Sequence, residues 1–179
     1  MLFVKTEIVG VIEVQLQPHR DQRGFFARAY CPEEFAVAGL TFGSQQINLS
    51  RNDQRLTMRG MHYQEAPHAE AKVVRVVRGR IFDCVVDLRP DEPTYRHWIG
   101  RYLDADTGNA LLIPEGCAHG FLTLEPQTDV LYQMGRIFEP GHARGFRFDD
   151  PAIGIVWPET PIVISEQDLA WPLLAEDRR

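Results

Sequence analysis

Between Arg59 and Lys72 the sequence Arg-Gly-Met-His-Tyr-Gln-Glu-Ala-Pro-His-Ala-Glu-Ala-Lys gathers a guanidinium, two imidazoles and an ammonium group. It runs directly into the strand-like Val73-Val74-Arg75-Val76-Val77-Arg78-Gly79. A histidine titrates near neutral pH and can take a proton from carbon. An ammonium group can stabilise negative charge as it develops on a neighbouring oxygen. His62 and Lys72, anchored beside a rigid strand, therefore have the types that enolate chemistry needs; the plainer alternative is a polar loop that happens to carry two histidines. Other residues of complementary type are spread along the chain. Tyr132, in Val130-Leu131-Tyr132-Gln133, can donate a proton, and Asp168, in Ser165-Glu166-Gln167-Asp168, can orient an imidazole. Arg23 and Arg59 can hold phosphate through paired hydrogen bonds. Taken singly, each has an ordinary reading as a core tyrosine, a helix cap or a solvated arginine.

The elements that must position these groups are mostly strands. The chain has 179 residues, 44% hydrophobic and 25% charged, enough for one globular domain over 1–179 without disulfide staples. No repeat, charge block or low-complexity linker divides it. Ile12, Val14 and Leu16 alternate with Glu13 and Gln15, the period of a half-buried strand. Asp21-Gln22-Arg23-Gly24 reads as a turn into the aromatic pair Phe25-Phe26. Cys31 to Gly39 predicts a short helix, with Pro32 at its start, acids in its first turn and Gly39 at its end. From Gly43 onward strands are predicted over 45–50, 56–63, 72–77, 79–88, 98–103, 110–113, 120–124 and 130–138. In the fourth of these, Phe82, Cys84, Val86 and Leu88 share one face, and Asp83, Val85 and Asp87 the other. Turn signals recur about every ten residues, which predicts an antiparallel sandwich or barrel. Ser165 to Leu174 predicts a short helix or capping segment with Ser165 as N-cap.

Composition excludes several function classes. A net charge of −6 gives no footprint for nucleic acid or an anionic membrane surface. The apolar runs are too short to cross a bilayer, and the N-terminal residues lack a signal-peptide pattern. Cys31, Cys84 and Cys117 are odd in number and without CxxC spacing, which fits a reducing compartment; a cytoplasmic location is expected. Pro114-Glu115-Gly116-Cys117-Ala118-His119 matches the pattern PxGxxH, with which cupin barrels bring a histidine onto an inner face. A metal-binding cupin also needs a paired HxH earlier. Here His62 is followed by Tyr63 and Gln64, so neither a metal nor any other cofactor is expected.

Read together, the blocks resemble one family. Asp21-x-Arg23-Gly24-x-Phe26, Gln46-x-Asn48-x-Ser50, Arg59-Gly60-Met61-His62-Tyr63-Gln64, Ala71-Lys72-Val73-Val74-Arg75-Val76-Val77-x-Gly79 and Pro114-x-Gly116-x-Ala118-His119-Gly120-Phe121 are ordered as in the dTDP-4-dehydrorhamnose 3,5-epimerases. Tyr132, Asp149-Asp150-Pro151, Trp157-Pro158 and Ser165-x-x-Asp168 continue the series, so the resemblance covers about residues 5 to 174. It implies an all-β, cupin-type jelly-roll barrel with a few short helices, a homodimer without a metal, and a nucleoside-diphosphate 4-keto-6-deoxyhexose as substrate. By position it makes His62 the base, Asp168 its partner, Tyr132 the acid on the opposite face of the sugar, and Lys72 the neighbour of the keto oxygen. Arg23 and Arg59 become diphosphate contacts, with Phe26, Arg28, Gln46, Asn48, His119 and Phe138 among the residues that shape the substrate pocket. Three positions depart from the family: Arg28 for a usual Glu, Asn52 for a second Ser, and Ile137-Phe138 for a Tyr-Tyr pair. These bear on the nucleobase, the sugar and the number of centres inverted. A mono-epimerase, an epimerase of another nucleotide sugar and a catalytically silent nucleotide-sugar-binding barrel are the competing readings.

Overall fold

The computed structural model describes residues 1–174. Two sheets face each other. The first runs in the order β1 (Leu2–Lys5), β2 (Ile12–Gln15), β10 (Ala110–Ile113), β7 (Lys72–Arg78), β12 (Thr128–Met134) and β5 (Gln46–Asn52). The second runs β13 (Ala143–Gly145), β6 (Thr57–Gln64), β11 (Cys117–Thr123), β8 (Arg80–Asp87) and β9 (Trp98–Asp104), with β14 (Val163–Ile164) parallel to β6. The ladders within both sheets are otherwise antiparallel. Strands β3 (His19–Asp21) and β4 (Gly24–Phe26) form a separate two-stranded ribbon.

Alternation explains what lies between the sheets. Val74, Val76, Leu111, Ile113 and Val130 point inward from the first sheet, and Ile81, Val85, Ile99, Leu103 and Phe121 from the second, forming one apolar cluster. Fully burying a side chain of this kind stabilises by about 1.5–3 kcal/mol. Phe82, Cys84 and Val86 point outward instead, under a layer made with Met61, Phe146 and Ile153, and Leu88 packs against that layer. On the outer face of the first sheet, helix α1 (Pro32–Val37) lays Phe35 against Val73, Ala110 and Leu112. Its ring meets Phe3 and Tyr30 edge-on. The architecture is an all-β jelly roll of the cupin type.

Two strand boundaries differ from expectation by three residues or more. Strand β11 begins at Cys117, three residues before the expected start, because its backbone pairs with β8 as far as Cys117 opposite Asp87. His119 therefore lies within a ladder. Strand β12 ends at Met134 and not at residue 138: Gly135 turns away, its amide bonded to the Ala71 carbonyl at 2.7 Å. Phe138 thus belongs to the connection that follows.

Candidate active site

Arg59 and His62 are three residues apart on one strand, so strict alternation would send them to opposite faces. A bulge changes that. Across the ladder His119 pairs with His62 and Phe121 with Arg59, leaving Gly60 and Met61 opposite the single residue Gly120. The extra residue turns Arg59 and His62 to the same side, where both line a cavity of about 290 Å³. The crossing requires glycine: Gly60 has φ +130°, and a Cβ there would lie 2.4 Å from the Gly120 Cα.

His62 meets a carboxylate supplied by the last helix. In α2 (Glu166–Ala170) Ser165 is the N-cap, its hydroxyl accepting from the Asp168 amide at 3.0 Å. That fixes Asp168 in the first turn, with Oδ1 2.5 Å from His62 Nε2. Burial pushes the Asp168 carboxyl up, but the hydrogen bond and charge of His62, with bonds from Ser165 and Gly60, outweigh it and hold it below the ordinary value. With the carboxylate ionised, Nε2 is the donor and Nδ1 keeps its lone pair. Trp171 closes on the ring edge-on, with centroids 6.2 Å apart.

The opposite wall comes from the first sheet. Asn48 and Ser50 on β5, Tyr132 and Met134 on β12, and Lys72 on β7 face the cavity from adjacent strands. Burial, helped by the Asp83 charge and opposed by Arg59, pushes the Tyr132 phenol well above its ordinary value, so it is protonated at neutral pH. The Lys72 Nζ lies 3.1 Å from Glu70 Oε1, both side chains buried. His119 Nε2 lies 2.7 Å from Asp83 Oδ1 beneath the cavity, and burial raises the Asp83 carboxyl despite the opposing His119 and Lys72. At the mouth, Arg59 Nε donates to Asn52 Oδ1 at 2.7 Å, and Asn52 is itself held by the Thr128 carbonyl. Asn52, a departure from the family pattern, thus props the guanidinium.

Of the residues expected to contact substrate, Asn48, Arg59 and His119 line the same cavity as His62, Lys72 and Tyr132. Gln46 stands behind Asn48, donating to its Oδ1 at 2.9 Å and accepting from the Phe138 amide at 3.2 Å. Phe138 faces His62 from an adjoining cavity of about 230 Å³ shared with Gln64, Glu70, Arg144 and Trp171. Arg23, Phe26 and Arg28 are not brought to either cavity. Arg23 and Phe26 sit on the β3–β4 ribbon, the Arg23 side chain 84% exposed and ion-paired to Asp21, and Phe26 is 79% exposed. Arg28 pairs with Glu34 at the start of α1. His68 lies in the connection after β6, half-buried, its ring tilted against that of His142 with centroids 4.1 Å apart. Sequence reasoning missed Glu70 and the pairing of Asp83 with His119. The available signals were the i, i+2 spacing from Glu70 to Lys72 and the placing of Asp83 on the face opposite Phe82, Cys84 and Val86. Among the described residues no three His, Cys, Asp or Glu side chains converge as a metal cage requires, and no helix is long and apolar enough to cross a membrane.

Comparison with known proteins places this arrangement. A dTDP-4-dehydrorhamnose 3,5-epimerase from Sinorhizobium fredii is 38% identical over 177 residues, covering 98% of this chain and 91% of the relative. A dTDP-4-dehydrorhamnose 3-epimerase from Streptomyces niveus is 37% identical, covering 96% and 83%. The crystal structure of a dTDP-4-dehydrorhamnose 3,5-epimerase from Bacillus anthracis, with TDP and pyrophosphate bound, superposes with a TM-score of 0.94 at 36% identity, covering 97% of this chain and 99% of that one. The model of the dTDP-4-dehydrorhamnose 3,5-epimerase family matches residues 5–176, and the chain belongs to that family.

Proposed function

We propose that this enzyme inverts carbons 3 and 5 of a dTDP-4-keto-6-deoxyhexose through enolate intermediates. One observation carries the reading: a carboxylate-paired histidine and a protonated tyrosine enter one cavity from opposite sheets, with a buried lysine beside them. Carbons 3 and 5 both flank the keto group, so removing either proton delocalises charge onto oxygen 4. His62 takes the proton, and Asp168 stabilises the imidazolium that forms. Lys72 donates to the developing oxyanion, an interaction that strengthens on the way to the enolate and so lowers the barrier. Tyr132 returns a proton from the other face, which makes the outcome inversion. Acid–base catalysis supplies about 10²–10⁴-fold, so positioning and charge stabilisation must supply the rest.

Arg59 binds the diphosphate at the mouth. Arg23, Phe26 and Arg28 serve the nucleotide end in a homodimer, reaching the cavity of the partner and not their own. The exposed Phe26 and the exposed Ile47 and Leu49 on edge strand β5 support that assembly. Three free cysteines fit a cytoplasmic setting. The test is NMR of the substrate in D2O with enzyme present: exchange at both carbons is expected, and none at either sinks the reading. Inversion at one carbon is the second reading, favoured by Phe138, which brings no hydroxyl to the His62 side. Exchange confined to one carbon decides for it.

A further inference from the structure

We propose that Glu70 is a positioning residue that aims the Lys72 ammonium group at the reacting oxygen; this rests on the epimerase reading above. Glu70 precedes Lys72 by two residues, and its carboxylate is clamped at both ends. Oε1 lies 3.1 Å from Lys72 Nζ, and Oε2 accepts from Gln64 Nε2 at 2.7 Å. Gln64 is itself pinned, its Oε1 accepting from the Glu139 amide at 2.9 Å and its Nε2 donating to the His68 carbonyl at 3.2 Å. The chain of contacts thus runs from the connection after β12, through β6, to the first residue of β7. It ends on a cation that lines the cavity, and Glu70 lines both that cavity and the adjoining one.

The arrangement answers a specific need. Lysine is a point charge on a flexible four-carbon stem, with no planar fork to orient it. An oxyanion site works when its donors are aimed before charge develops. An ammonium group has three N–H donors. Fixing one on Glu70 sets the axis of the group and leaves the others for the ligand. The functional property of Glu70 is then the position of an oxygen acceptor, more than its charge.

Two conservative variants separate these properties. Glu70→Gln keeps one oxygen for Lys72 Nζ and removes the charge, its NH2 replacing only the acceptor that faced Gln64, whereas Glu70→Asp keeps the charge and withdraws both oxygens by roughly 1.5 Å. Expected for E70Q is a kcat within about 3-fold of wild type; E70D loses roughly 30- to 100-fold in kcat, as an ångström-scale misplacement does, with KM nearly unchanged. In a Lys72→Met background E70D brings no further loss beyond about 2-fold, because its effect passes through the lysine. An E70D enzyme as fast as wild type overturns the proposal. So does an impaired E70Q beside a healthy E70D, which means a coulombic role, or an E70D loss that persists in K72M, which means a general structural one. Thermal unfolding of each variant checks that the fold is intact. Wild type is assayed first on the dTDP-4-keto sugar: no exchange there refutes the epimerase reading and this proposal together, whereas active wild type with active E70D refutes only the second.

Discussion

His62 and His119 face each other across the β6–β11 ladder, and each gives Nε2 to a carboxylate, at 2.5 Å from Asp168 and 2.7 Å from Asp83. Their surroundings differ. The His62 side chain is 43% exposed to the cavity, whereas His119 and Asp83 are both buried. Asp168 is held below its ordinary value by His62, while burial lifts Asp83 above its own. The same pair chemistry therefore serves two ends. At the open site the carboxylate stays ionised and can stabilise an imidazolium formed during turnover. In the closed site the same charge is expensive, and the pair is best suited to fixing the floor of the cavity. Burial and partner, not residue type, decide which of the two carboxyls is held below its ordinary value and which is raised.

Four measurements can break or sharpen that contrast. The largest effect falls on the open histidine: His62→Asn lowers kcat by about 10³–10⁴-fold, the upper range of acid–base catalysis, whereas His119→Asn costs no more than about 10²-fold. Steady-state turnover compares them, and equal losses would erase the distinction. Next comes stability. Asp83→Ala leaves a buried partner uncompensated and costs about 3–5 kcal/mol by urea unfolding, more than Asp168→Ala at the half-open site. A smaller loss is expected for Asp168→Asn, roughly 10–10²-fold in kcat with KM little changed, because the base keeps its lone pair but loses its counter-charge. The smallest effect is in pH. The folded Asp168 carboxyl is depressed, so its ionised form stabilises the native state above the unfolded value of about 3.9, and that share is lost as pH falls through the lower folded value. The stability gap between wild type and D168N should therefore narrow between pH 5 and pH 3, and a gap that widens has the wrong sign.

Much of this was legible in the residues. Evenly spaced turn signals gave away the strands, Pro32 and Gly39 bracketed α1, and Ser165 capped α2 as its position promised. The period-two reading of residues 82–88 puts Asp83 with Val85 on one face, and the structure shows that face to be the inner one. Other features have no local signature. The bulge at Gly60–Met61 overrides alternation for Arg59 and His62, and it exists because two glycines cross at van der Waals distance, a tertiary fact. Short strands β13 and β14 pair with β6 from far along the chain and carry almost no pattern of their own. Sequence reasoning passes over Glu70 because nothing in the sequence shows that Gln64 Nε2 donates to it. Arg23 could be found by type and Phe26 and Arg28 by the resemblance, but within this chain all three lie outside both cavities.

Asp168 reaches His62 across 106 positions of sequence, and the fourteen strands among the described residues all lie before its cap, Ser165. The order of synthesis therefore matters. Every residue lining the main cavity leaves the ribosome before the carboxylate that pairs with His62. A nascent or clipped chain ending at Ile164 has the fourteen described strands and holds His62, Lys72 and Tyr132, yet lacks the carboxylate that pairs with His62. Turnover of truncated chains therefore reports on the docking of α2 against His62.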